Sequence, residues 1–539
     1  MKNEFETFGV MIDMSRNAVM SIDGLKRFLP ILKKMGYNCV MLYTEDTYEI
    51  EEEPYFGYMR GRYSKAEMKE IDAFAESLGI TVIPCIQTLA HLNAIFRWGD
   101  FPRDCDDILL TDDERTYELI DRMFSSLSEC FKARKIHIGM DEAHMLGRGQ
   151  HLDIHGYETI TQIMKRHLEK ICEIAKRYDY EVMIWSDMYF RPWNNGAYTI
   201  PKCDIPQNVI DSFPEGVIPV YWDYHKPTEQ IYSEMIENHK QLSDNVWFAG
   251  GAWGWHGMIP YNRFTIDAMI PAMDACKKQK IKNVFLTMWG DDGAECSHFS
   301  QLPSLYYVAQ YAMGVTDEAK IKAGFKKLIG IDFDEYINID CPNQVVPFEG
   351  RPRNPSKYML YSDYFNDFLD YTVKEGAGVR YVEFADALHK TAKKSRKYGY
   401  VFDTAAKLCD VMAIKYELGL RTRKAYESGD KAELERLAKD EYVRVARLID
   451  IYGRAFEKQW FADNKPHGFD VQDHRIGALL RRTDACRRRI LDYTSGNIDR
   501  IEELDEKLLP FRNKEESTSV NKAILYSTVN LVHMSSVPL

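Results

Sequence analysis

The sequence predicts an α/β protein, a (β/α)8 TIM barrel followed by an all-α C-terminal domain, and three observations carry that expectation. Over the first three-fifths of the 539 residues one unit recurs: a short β-rich run, a loop with polar or aromatic residues, then an amphipathic helical stretch. Eight such units fit into roughly 300 residues, about the size of a closed barrel of parallel strands. From about residue 316 no strand of comparable quality follows and long charged helical stretches take over, which sets expected domains of 1–315 and 316–539.

Taken in order, the strand-like runs are 8–12, 39–43, 81–86, 136–140, 181–185, 217–222, 246–250 and 283–288. They are continuously apolar, as strands buried on both faces of a helix-covered parallel sheet must be. Helical stretches at 25–35, 65–78, 115–131, 157–178 and 266–280 lie between most of them. The later helical stretches include 380–398, 431–454 and 475–495. The last carries Arg481, Arg482, Arg487, Arg488 and Arg489, a pattern that suits a solvated helix face or an interdomain or intersubunit salt-bridge zone and leaves a homodimer open. Residues 535–539 read as a frayed tail.

Composition excludes several classes. With 45% hydrophobic, 28% charged and 13% aromatic residues the chain is globular, and its formal net charge of −12 argues against a nucleic-acid partner, whose phosphates need clustered Lys and Arg. No run of 18 apolar residues and no signal-like N-terminus is expected to engage a membrane. Eleven scattered cysteines without a C-x-x-C pair suit reduced thiols in the cytoplasm better than disulfides or a zinc site.

In such barrels chemistry sits where strands end and βα loops begin. The reactive residues recur at those places: Asp13-Met14-Ser15-Arg16, Thr44-Glu45-Asp46, Gln87 to His91, Asp141-Glu142, Trp185-Ser186-Asp187, Tyr221-Trp222-Asp223, Trp253 to His256, and Trp289-Gly290-Asp291-Asp292. Two adjacent acids at the edge of an apolar core push each other's pKa apart, so that one site holds a proton donor and an anion together. Tryptophans on the same rim describe stacking walls for a sugar face. Asp141-Glu142-Ala143-His144 also spells a helicase box, but that chemistry requires an upstream G-x-x-x-x-G-K-[ST] loop and the sequence has none. His137 and His144 match no zinc-ligand spacing.

His137-Ile138-Gly139-Met140-Asp141-Glu142 resembles the H-x-G-x-D-E signature of the glycoside hydrolase family 20 β-N-acetylhexosaminidases, over roughly residues 6–315. Asp13 to Arg16 is similar to that family's opening D-x-[SA]-R, Tyr221-Trp222-Asp223 to its Y-x-D, and Trp289-Gly290-Asp291 to its W-x-E with Asp in place of Glu. The resemblance implies exo-hydrolysis of terminal β-linked N-acetylglucosamine or N-acetylgalactosamine from small oligosaccharides or glycoconjugates, with retention, the substrate's own acetamido oxygen acting as nucleophile. This is an exception to the usual pair of carboxyl groups about 5–5.5 Å apart. It makes Glu142 the general acid, with a pKa raised toward neutrality, and Asp141 the residue that orients the acetamido N–H; Tyr221 would hold the acetamido oxygen. Arg16, Asp46, His91, Trp185, Asp223, Trp253 and Trp289 would bind the sugar, with one of Asp291, Asp292 and Glu295 contacting its hydroxyls. No metal or cofactor is implied. Release of a disaccharide by the same site, or glycan binding without cleavage, are the alternatives; retention of Glu142 favours catalysis.

Overall fold

The computed structural model describes residues 4–291, 293–346, 352–366 and 369–509; Asp292 and the tail at 535–539 lie outside them. Eight parallel strands close into a barrel: β1 (Thr7–Asp13), β2 (Cys39–Tyr43), β3 (Thr81–Cys85), β4 (Lys135–His137), β5 (Glu181–Trp185), β6 (Ile218–Trp222), β7 (Trp247–Gly251) and β8 (Asn283–Met288). Each pairs with its neighbours in sequence, and β1 closes on β8 with Thr7 opposite Asn283 and Ile12 opposite Met288.

Two-residue alternation sorts the apolar side chains into two cores. Met11, Met41, Ile83, Met183, Ile218, Val220, Trp247 and Phe285 fill the barrel interior. Val10, Ile12, Val40, Leu42, Ile184, Tyr221, Phe248 and Leu286 face out against the helices. One strand departs from the expected run at 136–140. β4 stops at His137 because Gly139 and Met140 take φ of 73° and 70°, a left-handed conformation that cannot continue a β ladder. The chain turns into the barrel mouth at that point.

The helical layer is α1 (Ile22–Met35), α2 (Lys65–Ser77), α3 (Glu114–Ser128), α4 (Ile160–Arg177), α5 (Glu229–His239), α6 (Asn262–Lys278) and α7 (Leu302–Ala312). Their starts are written in capping residues. Ser64 and Glu67 form a capping box on α2, Thr159 and Gln162 another on α4, and the Ser21 hydroxyl accepts from Gly24 N on α1.

Beyond the barrel lie α8 (Glu318–Ile329), α9 (Pro355–Tyr361), α10 (Val379–Lys394), α11 (Gly399–Glu427), α12 (Tyr442–Asp463) and α13 (Phe469–Ser495). The longest, α11, escapes a search for amphipathic periodicity because it is buried around most of its circumference, from Val401 through Leu408, Met412 and Leu418. These helices share one continuous core with the outer barrel layer. Buried Asp463 pins the two together, accepting from Arg27 of α1 at 2.8 Å, from Tyr400 at 2.6 Å and from Ser297 at 2.5 Å. No helix among the described residues is long and apolar enough to cross a membrane, and none of the eleven cysteines is in a disulfide.

The barrel interior tolerates little loss of volume. Phe285 lies 6.0 Å from the Trp185 ring and 6.5 Å from that of Trp247, and neighbours this large cannot collapse into the space it would leave. Phe285→Ala should therefore cost about 3–5 kcal/mol, read as a lower urea midpoint with unchanged slope.

Candidate active site

Asp13, at the end of β1, folds its own loop. Its Oδ1 accepts from Ser15 N at 2.9 Å, Ser15 Oγ at 2.9 Å and Arg16 N at 3.2 Å, while Oδ2 accepts from the Arg16 guanidinium at 3.0 Å and Gly290 N at 3.0 Å. Burial works against the Asp13 anion, but Arg16 and the hydrogen bonds outweigh it and hold its pKa below the usual range. Arg16 thereby stands over Tyr43 and Trp289, 4.7 and 4.8 Å from their ring centres, with Nε 3.0 Å from Glu45.

The left-handed turn after β4 delivers Asp141 and Glu142 into different surroundings. Asp141 is buried; its Oδ1 accepts from Gln87 Nε2 at 2.7 Å and its Oδ2 lies 3.2 Å from His91 Nε2. Gln87 is itself fixed, its Oε1 accepting from Met140 N at 3.0 Å. Burial alone would raise the Asp141 pKa, yet the charge of His91 and these contacts pull it well below the carboxylate range. In return, His91, which burial would drive down, is pushed up to about 9, mainly by Asp141. Glu142 keeps 42% of its side chain exposed, with φ of 52°. Its backbone N donates to Asp187 Oδ2 at 3.1 Å and its Oε1 is 3.6 Å from Arg191. Burial, reinforced by Asp141 and opposed by Arg191, lifts Asp187 to about 7. His137 beneath is held neutral by burial, its pKa near 3, and its ring lies 4.3 Å from Trp185.

These elements surround a cavity of about 420 Å³ at the C-terminal mouth of the barrel. Arg16, Asp141, Glu142, Trp185, Asp223, Trp253, Trp289 and Asp291 all line it, so eight residues singled out in the sequence converge on one space. His91 sits behind Asp141. Besides His91, three others do not reach the cavity. Tyr221 faces outward by strand alternation, its hydroxyl donating to Asp223 at 3.2 Å from below; Tyr224, three residues on, occupies the wall instead, its hydroxyl accepting from Trp289 Nε1 at 3.0 Å. Asp46 turns away to Arg60 at 3.1 Å, and Glu45, with the parity of Tyr43, is the acid that meets Arg16. Glu295 is buried between Lys357 at 2.6 Å and Arg475 of α13 at 2.9 Å. Tyr198, Arg191, Trp222 and Trp255 complete the walls. Tyr198 and Arg191 come from the loop after β5, where no periodic signal marks them.

His91, Asp141 and Glu142 bring ligand-type atoms within 4.8 Å of one another. Within this trio His91 Nε2 faces Asp141 Oδ2 at 3.2 Å, a contact that favours the protonated imidazole. A second trio, Asp112, His151 and Glu158, already has its carboxylates on Arg166 at 2.8 and 2.6 Å.

A parallel barrel with acids and indoles around its mouth is suited to binding a sugar, and comparison with known proteins gives the class: the protein is a glycoside hydrolase. Residues 5–201 match the family model of the glycosyl hydrolase family 20 catalytic domain, and residues 334–523 match the glycoside hydrolase 20C C-terminal domain. The two stretches together take in more than half of the sequence; the chain belongs to glycoside hydrolase family 20. It is 22% identical over 353 residues to Hexosaminidase D of Bos taurus, a match covering 58% of this chain and 92% of that protein. With Hexosaminidase D of Homo sapiens it shares 25% identity over 231 residues, 39% of this chain and 43% of the human one. A solved exo-β-N-acetylglucosaminidase from Vibrio harveyi, in complex with N-acetylglucosamine, is 16% identical with a TM-score of 0.45, over 61% of this chain and 59% of that one.

Two outcomes follow from the charges. The His91 pKa is raised on folding, so its contribution is complete below the unfolded value of about 6.5 and disappears as pH rises through about 9. Thermal stability should fall by on the order of 2–3 kcal/mol across that window, and His91→Gln should flatten this part of the profile. Glu295→Gln leaves Lys357 and Arg475 buried without their carboxylate. It should lower stability by about 3–5 kcal/mol in a denaturation series, far more than loss of a surface ion pair.

Proposed function

We propose that the protein is an exo-acting β-N-acetylhexosaminidase that removes terminal β-linked N-acetylglucosamine or N-acetylgalactosamine from small oligosaccharides or glycoconjugates with retention, the 2-acetamido group of the substrate serving as nucleophile. The observation that carries this reading is the inequality of the acid pair: Asp141 is locked as a buried anion, while Glu142 beside it stands half-exposed at the cavity. An anion fixed in a nearly dry site suits a cation that develops during reaction, here the oxazolinium formed when the acetamido oxygen attacks the anomeric carbon. Asp141 orients the acetamido N–H and stabilises the growing positive charge on that nitrogen. Glu142, reachable from solvent, gives its proton to the leaving oxygen and then takes one from the water that opens the ring.

Tyr224 replaces Tyr221 in the role of donor to the acetamido oxygen: it lines the cavity where Tyr221 does not, and the hydroxyl of Tyr198, also at the wall, is engaged with Ser186 and Trp222 N. Trp185, Trp253 and Trp289 supply apolar faces, and their exclusion of water strengthens each charge interaction within. Arg16 and Asp291 grip hydroxyls on the sugar edge away from the anomeric carbon. Arg191 and Asp187 set the backbone and carboxyl position of Glu142.

A panel of chromogenic β-GlcNAc, β-GalNAc and β-glucose glycosides tests the reaction. The two acetamido sugars should be cleaved and the glucoside left nearly untouched, because it lacks the nucleophile; equal turnover of the glucoside would overturn substrate assistance. Glu142→Gln should lose about 10²–10⁴-fold on substrates with poor leaving groups and much less on activated ones. Asp141→Asn should lose about 10²–10³-fold on all of them, and wild-type rates in that variant would refute its role.

A further inference from the structure

A second cavity, of about 280 Å³, lies beyond Arg16 and Asp291, the two side chains that line both spaces. Its chemistry differs from that of the first. The catalytic cavity is walled by seven Trp and Tyr side chains, Trp185 and Trp289 among them, whereas no Phe, Tyr or Trp lines the second among the described residues. Cations line it instead: Arg16, Arg60, His91, Arg97 and Arg475.

Four of these five have an acid in place. Arg16 meets Asp13 and Glu45, Arg60 meets Asp46, His91 meets Asp141 and Arg475 meets Glu295. Arg97, which caps the short helix Asn93–Phe96, differs. Among the described residues no carboxylate lies within ion-pair distance of it, and its Nε is buried without a hydrogen-bond partner. Burial and the neighbouring charge of Arg60 both disfavour its charged form, and Asp46 offsets this only in part. Three acids border the cavity: Glu45 and Asp291 act on Arg16, and Asp107 makes no ion pair with Arg97. A planar guanidinium at the wall of an open, non-aromatic space is a fork shaped for a tetrahedral oxyanion.

We propose that this cavity is a subsite for a sulfate or phosphate ester carried on the C3–C4 edge of the terminal N-acetylhexosamine, with Arg97 as its counter-ion. The inference rests on the proposed function, which puts the anomeric carbon at Asp141 and Glu142 and therefore turns the C3–C4 edge toward Arg16 and Asp291. A neutral second sugar would find no stacking face there and would leave Arg97 without a counter-charge.

The experiment compares kcat/KM of the wild type, Arg97→Ala and Arg97→Lys on 4-nitrophenyl β-N-acetylglucosaminides. The set comprises the unsubstituted glycoside, its 3-, 4- and 6-sulfates, its 4-phosphate, and a neutral 3-O-hexosyl derivative. The wild type should accept a 3- or 4-anionic substrate and disfavour the 6-sulfate; the sulfate and phosphate arms show which ester is preferred. Arg97→Ala should lower turnover of the anionic substrate about tenfold or more relative to the unsubstituted one, with partial recovery in Arg97→Lys. Refusal of every 3- and 4-anionic substrate, or an equal effect of Arg97→Ala on all substrates, would overturn the proposal. So would release of the neutral disaccharide at rates indifferent to Arg97. Failure of the wild type on the unsubstituted glycoside would remove the hexosaminidase reading and this subsite with it, whereas normal turnover there with anion-blind specificity removes the subsite alone.

Discussion

The constraint that organises this barrel mouth is the need to keep one carboxylate ionised where almost no water reaches it. A bare anion in such a place would neutralise itself by taking a proton. Asp141 escapes because Gln87 donates to one oxygen and protonated His91 faces the other, with Arg16 adding its field from across the cavity. Two of these helpers have their own support: Gln87 is tied to Met140 N, and Arg16 is held by Asp13 and Glu45. The price appears in the backbone, where Gly139, Met140 and Glu142 all carry positive φ and β4 is reduced to three residues. Gly139 cannot be replaced cheaply, since a Cβ there would fall 2.0 Å from Gln87 Oε1 and push on the side chain that steadies Asp141.

Much of this was legible in the chain itself. The eight apolar runs, the acids at Asp141 and Glu142 and the rim tryptophans follow from periodicity and from where reactive residues fall relative to strand ends. The positions of Tyr221 and Asp46 away from the cavity share one physical origin. Alternation does not stop where a strand stops, so the inward parity of Ile218, Val220 and Trp222 continues to Tyr224, not Tyr221. The parity of Met41 and Tyr43 likewise selects Glu45 over Asp46. Glu295 was out of reach for another reason: its partners Lys357 and Arg475 lie far along the chain, and nothing local in the sequence announces a pairing of that range.

That pairing is also what the helical half contributes to the mouth. Arg475 of α13 holds the Glu295 carboxylate, Gln472 donates to Gly293 O at 3.0 Å, and Asn17 of the β1 loop bonds Gly468 O at 2.8 Å. A helix distant in sequence thus braces the loop that follows β8, on which Trp289 and Asp291 stand. The helices are therefore a buttress for the site as well as a neighbour of the barrel, and the charged face on α13 stands apart from this contact: Arg487 and Arg488 bond Asp484 on their own helix, and Arg482 reaches Asp363.

This bracing puts the enzyme's assembly in an order during synthesis. A ribosome releases the last barrel strand, ending at Met288, well before Arg475 emerges. At roughly 5–20 residues per second the interval is on the order of ten to forty seconds. Through that interval the barrel has all its strands and both acids, and Glu295 can meet Lys357 but not yet Arg475. The bracing of the wall that bears Trp289 and Asp291 is therefore complete only once α13 has docked.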